Sequence, residues 1–199
     1  MKLLALLSAA AAATGVSALP QAQPQQQTKY NSFTVMSARS ASPIHLLPLN
    51  AASGGFYLGL HNASSYCPEQ VSKLGACPPG TETVINAGAN SLDVSVPGGQ
   101  QIYIAPSGAL AFTQPHSAYV PAGSVVGAFE YSQPAGASFG YWTLPGSGLI
   151  ACPVPEAATW QVFAAWNNAT VPSGSVGDCL GFDALAVGRN GSAGAWEYL

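Results

Sequence analysis

Gly136-Ala137-Ser138-Phe139-Gly140 fits G-x-S-x-G, the pattern of a hydrolase nucleophile elbow. That elbow needs a strand before the serine and a helix after it, then an acid and a histidine further along the chain. Here Gln133-Pro134 precedes Ser138, Tyr141-Trp142 continues as strand, and the last of three histidines is His116. Ser138 thus lacks a general base in the expected order, and the segment reads as a Gly-rich loop; triads in other chain orders stay open as the alternative. His45 and His61 would face each other if a hairpin turned near Ala52-Ser53, which would begin a metal site. A third ligand would have to be His116 or an Asp, and no spacing supplies it. Asp178 with Asp183, or Glu130 with Glu156, would make a glycosidase pair only at roughly 5 to 9.5 Å across a cleft. The eight carboxylates are scattered along the chain. No Gly-rich loop opens a helix carrying a Lys, so no phosphate cradle is read. The expectation is a protein that is not an enzyme, with no metal and no other cofactor.

Cysteine usage is more informative. Cys67, Cys77, Cys152 and Cys179 allow three pairings. The favoured one is Cys67–Cys77 with Cys152–Cys179, a small loop and a medium one. Pro68 to Ala76 has little else to hold it. Each bridge would contribute roughly 3 kcal/mol by restricting the unfolded chain. A Cys₄ metal site is the weaker reading, because no Cys-x₂-Cys pair occurs.

Sugar-facing chemistry is the other possibility. Four Trp and eight Tyr offer stacking faces, although strand aromatics usually pack in cores. Trp160 and Trp166 share a face with Val162 and read as core. Trp142 and Trp196 are freer and are the candidate ligand-binding residues. Asn62-Ala63-Ser64, Asn168-Ala169-Thr170 and Asn190-Gly191-Ser192 fit the N-glycosylation acceptor pattern, so Asn62, Asn168 and Asn190 are candidate glycan sites.

The elements that would position these residues are short strands. Leu92, Val94 and Val96 alternate with Asp93 and Ser95; Pro97-Gly98-Gly99 turns the chain; Ile102 and Ile104 repeat the alternation; Pro106-Ser107-Gly108 turns it again before Leu110 and Phe112. Further strands are expected over Phe33–Arg39, Ile44–Leu49, a run through Phe56, Leu58 and Leu60, Thr83–Ile85, Val125–Tyr131, Phe139–Leu144, Leu149–Cys152, Trp160–Trp166, Cys179–Val187 and Ala195–Tyr198. Asn50–Gly55 reads as a turn. No capped run at helical spacing occurs in the mature chain. The fold class is all-β, a single-domain sandwich or barrel-like fold of about ten to twelve short antiparallel strands.

The N-terminus reads as an address. Lys2, the apolar run Leu3–Val16 and the small residues Val16-Ser17-Ala18 make a secretory signal peptide over 1–18. The run is shorter than the roughly 20 residues that span a bilayer, and no apolar C-terminal tail suggests a lipid anchor. Residues 19–29, with five Gln and two Pro, read as a linker or pro-segment before a domain over 30–199. Only 7% of residues are charged, against about 25% in ordinary globular chains, and the net charge is −3. That excludes a basic nucleic-acid surface and leaves no membrane partner in view. Solubility would then lean on glycans and neutral polar groups.

Several segments together resemble a family: Arg39-Ser40-Ala41-Ser42-Pro43-Ile44-His45, Tyr66-Cys67-Pro68, Cys77-Pro78-Pro79-Gly80-Thr81-Glu82-Thr83, Val96-Pro97-Gly98-Gly99-Gln100-Gln101, Cys152-Pro153 and Cys179-Leu180-Gly181-Phe182. In order and spacing they resemble the ascomycete cell wall protein PhiA family, also described as IgE-binding proteins. The resemblance runs from about Tyr30 to Leu199. It implies a secreted, wall-associated protein linked to the development of phialides and conidia; with the glycosylation patterns, the expectation is a structural or developmental glycoprotein of the fungal cell wall. It brings no catalytic residue with it. Partners implied are wall polysaccharide or wall proteins, and a carbohydrate-binding module is the alternative.

Overall fold

The computed structural model describes residues 30–191 and 193–199. The expected signal peptide over 1–18, the segment over 19–29 and Ser192 of the third glycosylation pattern lie outside the described residues.

In chain order the strands are β1 (Ser32–Ala38), β2 (Leu49–Ala52), β3 (Gly55–Leu58), β4 (Ser65–Tyr66), β5 (Ile85–Asn86), β6 (Ser91–Leu92), β7 (Gln100–Ile104), β8 (Leu110–Phe112), β9 (Val125–Val126), β10 (Glu130–Ser132), β11 (Gly140–Thr143), β12 (Leu149–Pro153), β13 (Trp160–Ala164), β14 (Leu180–Arg189) and β15 (Glu197–Tyr198). A five-residue helix, α1 (Glu69–Lys73), lies inside the Cys67–Cys77 loop, and a 3-10 turn covers Val176–Asp178. The all-β expectation holds. Among the described residues no helix is long and apolar enough to cross a membrane.

Hydrogen-bonded neighbours run β1-β5-β6-β7-β8-β3-β13-β12-β14, and β14 then pairs with β1 from Ser32↔Arg189 to Ala38↔Asp183. The path closes on itself, so the barrel-like form is the one adopted. Closure leaves few free strand edges, which protects an apolar sheet from pairing with other chains. Two strands make it possible by changing partners along one edge. β7 pairs with β6 through Gln100 and Gln101, then with β9 through Tyr103 and Ile104. β14 pairs with β12 through Leu180–Phe182, then with β11 through Leu185 and Ala186.

The interior is filled by the residues whose alternation marks the strands. Phe33 and Val35, Phe56 and Leu58, Ile102 and Ile104, and Leu110 and Phe112 are all buried in one cluster. Each large side chain contributes about 1.5–3 kcal/mol by leaving water. Only two ion pairs form among the described residues, Lys73–Glu69 and Arg189–Glu82, both with exposed partners. Such pairs contribute about 0–1 kcal/mol each, so apolar burial dominates.

Three local expectations are corrected. Ile44–Leu47 is a turn, because the buried Ser37 hydroxyl donates to the Ile44 and Leu47 carbonyls and Leu46 sits at φ 61°. The hairpin turn within 50–55 narrows to Ser53-Gly54, since Asn50–Ala52 pair with Gly55–Tyr57 as β2 and β3. Val125–Tyr131 splits into β9 and β10 around Gly127 at φ 66°.

Candidate functional site

Two polar residues in the segments that carry the family resemblance, Gln100 and Thr83, are absorbed by the fold, together with Ser65 and Tyr198 outside them. Gln100 is 1% exposed. Its Nε2 donates to the Thr113 carbonyl at 3.0 Å and the Tyr198 carbonyl at 2.9 Å, and its Oε1 accepts the Tyr198 N–H at 2.8 Å. One amide thus satisfies three backbone groups that would otherwise be buried unpaired. Tyr198, fully buried, donates its hydroxyl to the Glu82 carbonyl at 2.6 Å and accepts the Val84 N–H at 3.1 Å. Burial pushes its phenol up to about 12, opposed by the Val84 N–H. Gly194 belongs to the same arrangement, because a Cβ there would meet the Val84 side chain and, at 2.6 Å, the Tyr198 hydroxyl. Thr83 Oγ1 accepts the Ala51 N–H at 2.6 Å, and Ser65 Oγ donates to the Gly80 carbonyl at 2.8 Å. The C-terminal segment is thereby held between 94–96 and 64–66, with Val96 N–H on the Trp196 carbonyl and Leu199 N–H on the Ser64 carbonyl.

Elsewhere polar groups are left over. β14 changes neighbour between Phe182 and Leu185, so β12 and β11 part beside Asp183 and Ala184. The turn 145–148 crosses the gap, and Gly148 at φ 87° closes it in a conformation that side chains resist. The result is an open groove of about 550 Å³ lined by Arg39, Ser40, Ser147, Phe182 and Asp183. A smaller hollow of about 160 Å³ also touches Phe182 and Asp183 and extends to Tyr141 and Thr143. Arg39 Nη1 donates to the Gly181 carbonyl at 2.8 Å, which fixes the guanidinium at the rim. Arg39 directly follows Ala38, the β1 partner of Asp183, yet the two form no ion pair. The Ser147 Oγ is out of contact with water and has no hydrogen-bond partner.

The other sequence-derived residues are dispersed. Both expected disulfides form, Cys67–Cys77 and Cys152–Cys179. Asn62, Asn168 and Asn190 are exposed. Trp142 is corrected: it is 3% exposed and stacks on Phe129 at 4.2 Å between centroids, so it offers no face to a sugar. Its phase explains this, because Gly140, Trp142 and Leu144 alternate inward while Tyr141 and Thr143 point out. Trp196 is half-buried, and so are Trp160 and Trp166, which pack against the core as their phase with Val162 suggests. Ser138 lines a hollow with Tyr30, Gln133, Pro134, Ala135, Gly136 and Ala137, none of them a base. His45 Nδ1 accepts the Arg39 N–H at 3.3 Å in the turn before β2. Among the described residues no group of three or more His, Cys, Asp and Glu gathers as metal ligands would. Glu130 is in β10, Glu156 in the turn before β13, Asp178 in the 3-10 turn and Asp183 in β14. Sequence reasoning missed the groove. Its signal was the presence of Arg39-Ser40 and Gly181-Phe182 in two of the resemblance segments; only the β1–β14 register brings them together.

Comparison with known proteins agrees with the resemblance. A family described as PhiA-like secreted protein matches residues 33–199. An "Uncharacterized secreted protein" of Arthroderma benhamiae is 47% identical over 156 residues, covering 76% of this chain and 77% of the relative. No solved structure matches the chain. The chain is a secreted fungal protein, and it belongs to the PhiA-like secreted protein family.

Proposed function

We propose that this protein is a non-catalytic glycoprotein of the fungal cell wall, with a structural or developmental role in spore-bearing structures. The observation that carries the reading is how the resemblance segments are used. Thr83 and Gln100 from those segments, like Ser37, Ser65 and Tyr198 outside them, bond backbone groups within the fold rather than converge on a reaction centre. Family membership supports secretion, which a wall location requires. The exposed Asn62, Asn168 and Asn190 support glycan attachment on a surface short of charge. Retention in the wall then rests on glycans, polar contacts and sugar stacking.

The test is a pull-down of the mature glycosylated protein on whole walls, insoluble chitin and β-glucan. Retention on whole walls is expected, whether or not a purified polymer binds. A protein recovered entirely in the supernatant in all three cases would be a free secreted protein, and the wall role would be lost. A carbohydrate-binding module is the second reading, favoured by Phe182 and Tyr141 beside unpaired polar groups in the groove.

A further inference from the structure

Arg39, Lys73 and Arg189 are the three basic residues among those described. Lys73 and Arg189 are in ion pairs, whereas Arg39 is oriented by a backbone carbonyl and faces the groove without a carboxylate on it. Asp183 is exposed on the neighbouring strand, in the same groove and equally unpaired. Two opposite charges are thus held near each other without closing on each other. Their fields cancel at a distance, so the groove does not select an anion or a cation. At close range it presents donors at Arg39 and acceptors at Asp183. Phe182, half-buried and packed against the core, lines the same groove, and the 43% exposed Tyr141 borders the adjoining hollow.

We propose that this groove binds a segment of a neutral polysaccharide, with its hydroxyls on Arg39 and Asp183, one unit beside Phe182 and the next unit toward Tyr141. A neutral, hydroxyl-rich ligand is the one that uses both the donor and the acceptor; an acidic or basic ligand would meet one unfavourable charge. The volume lies within the range of about 300–1,000 Å³ common for ligand sites. The mouth is open, which admits an internal stretch of a long chain. This inference rests on the wall reading above and gives it a contact surface.

The experiment is calorimetric titration of the glycosylated protein with β-1,3-glucan hexaose and with chitin hexaose. Wild type is compared with Asp183→Asn, Phe182→Leu, Arg39→Gln, the remote control Lys73→Gln and the rival platform variant Trp196→Ala. Melting temperature is recorded for each. Binding of one hexaose, weakened about tenfold or more by Asp183→Asn and Phe182→Leu at unchanged melting temperature, is expected. Lys73→Gln and Trp196→Ala should match wild type. Undiminished binding in the groove variants, or loss only in Trp196→Ala, overturns the groove assignment. So does the absence of binding to either hexaose. Whole-wall retention is read in parallel. Retention that survives in the groove variants together with undiminished hexaose binding overturns this inference and leaves the wall role intact, whereas no retention of wild type defeats the wall role itself.

Discussion

The Gln100–Tyr198 clamp and the Arg39–Asp183 groove are built from similar polar groups and put them to opposite uses. In the clamp a side-chain amide and a phenol are buried, and each donor or acceptor meets a backbone group. In the groove a guanidinium and a carboxylate stand exposed with hydrogen-bonding capacity unused. Arg39 and Asp183 are exposed, so water solvates them and a ligand can take its place. The difference separates a part of the molecule whose chemistry is stability from a part whose chemistry is available for recognition.

Breaking the clamp should have the largest effect. Gln100→Ala leaves three buried backbone groups unpaired, at about 1–3 kcal/mol each. A loss of about 3–5 kcal/mol is expected, which lowers the melting temperature by about 10 °C or more. Trp142→Ala should fall in the same range, about 3–5 kcal/mol, because it empties a site packed against Phe129 and Phe33. Urea denaturation of either variant checks this; a change under about 1 kcal/mol would remove the distinction between the two regions.

Alkaline pH should strike the clamp next. The Tyr198 phenol is raised from 10.0 to about 12 by burial. Between these values the unfolded chain loses that proton and the folded chain keeps it. Stability is therefore complete below pH 10 and falls as pH rises toward 12, by up to about 1.4 kcal/mol per unit. Thermal melts from pH 9 to 12 should show this fall, and Tyr198→Phe, though less stable throughout, should show a shallower one.

The disulfides give an intermediate comparison. Cys152 is fully buried in β12, whereas no residue of α1 in the Cys67–Cys77 loop is buried. Replacing both cysteines of Cys152–Cys179 by Ser should cost about 3–4 kcal/mol, and the Cys67–Cys77 pair somewhat less, with unravelling confined to 68–76. Proteolysis near Leu74, 81% exposed, would report that local opening. The smallest effect belongs to the groove. Asp183→Asn should change stability by no more than about 0.5 kcal/mol while altering polysaccharide binding.

Alternation was readable as strand in β7 and β8, whereas the alternating run Leu92–Val96 forms only the end of β6 and an isolated bridge at Val94. Ile102, Ile104, Leu110 and Phe112 are buried in β7 and β8 as their period requires. The Cys67–Cys77 and Cys152–Cys179 pairing was readable too. Trp142 was misplaced although its phase with Leu144 was available, because a lone Trp in a Tyr-rich run resembles a surface platform. Ile44–Leu47 failed for another reason: a distant hydroxyl, Ser37, takes the carbonyls that a strand would need. Gln100 reads as surface by type, and only the return of the C-terminus after 98 residues makes it a core amide. The groove depends wholly on the β1–β14 register and on the parting of β11 from β12, which no local pattern encodes.

The most direct measurement is nuclear magnetic resonance mapping of isotope-labelled protein titrated with soluble wall-derived β-glucan and chitin oligomers. Shifts concentrated at Arg39, Ser40, Tyr141 and Gly181–Asp183, with Gln100 and Tyr198 unmoved, are the predicted result. Shifts centred on Trp196 or on the Gln100–Tyr198 clamp, or none at saturating oligomer, would contradict the division of the molecule into a scaffold and a recognition groove.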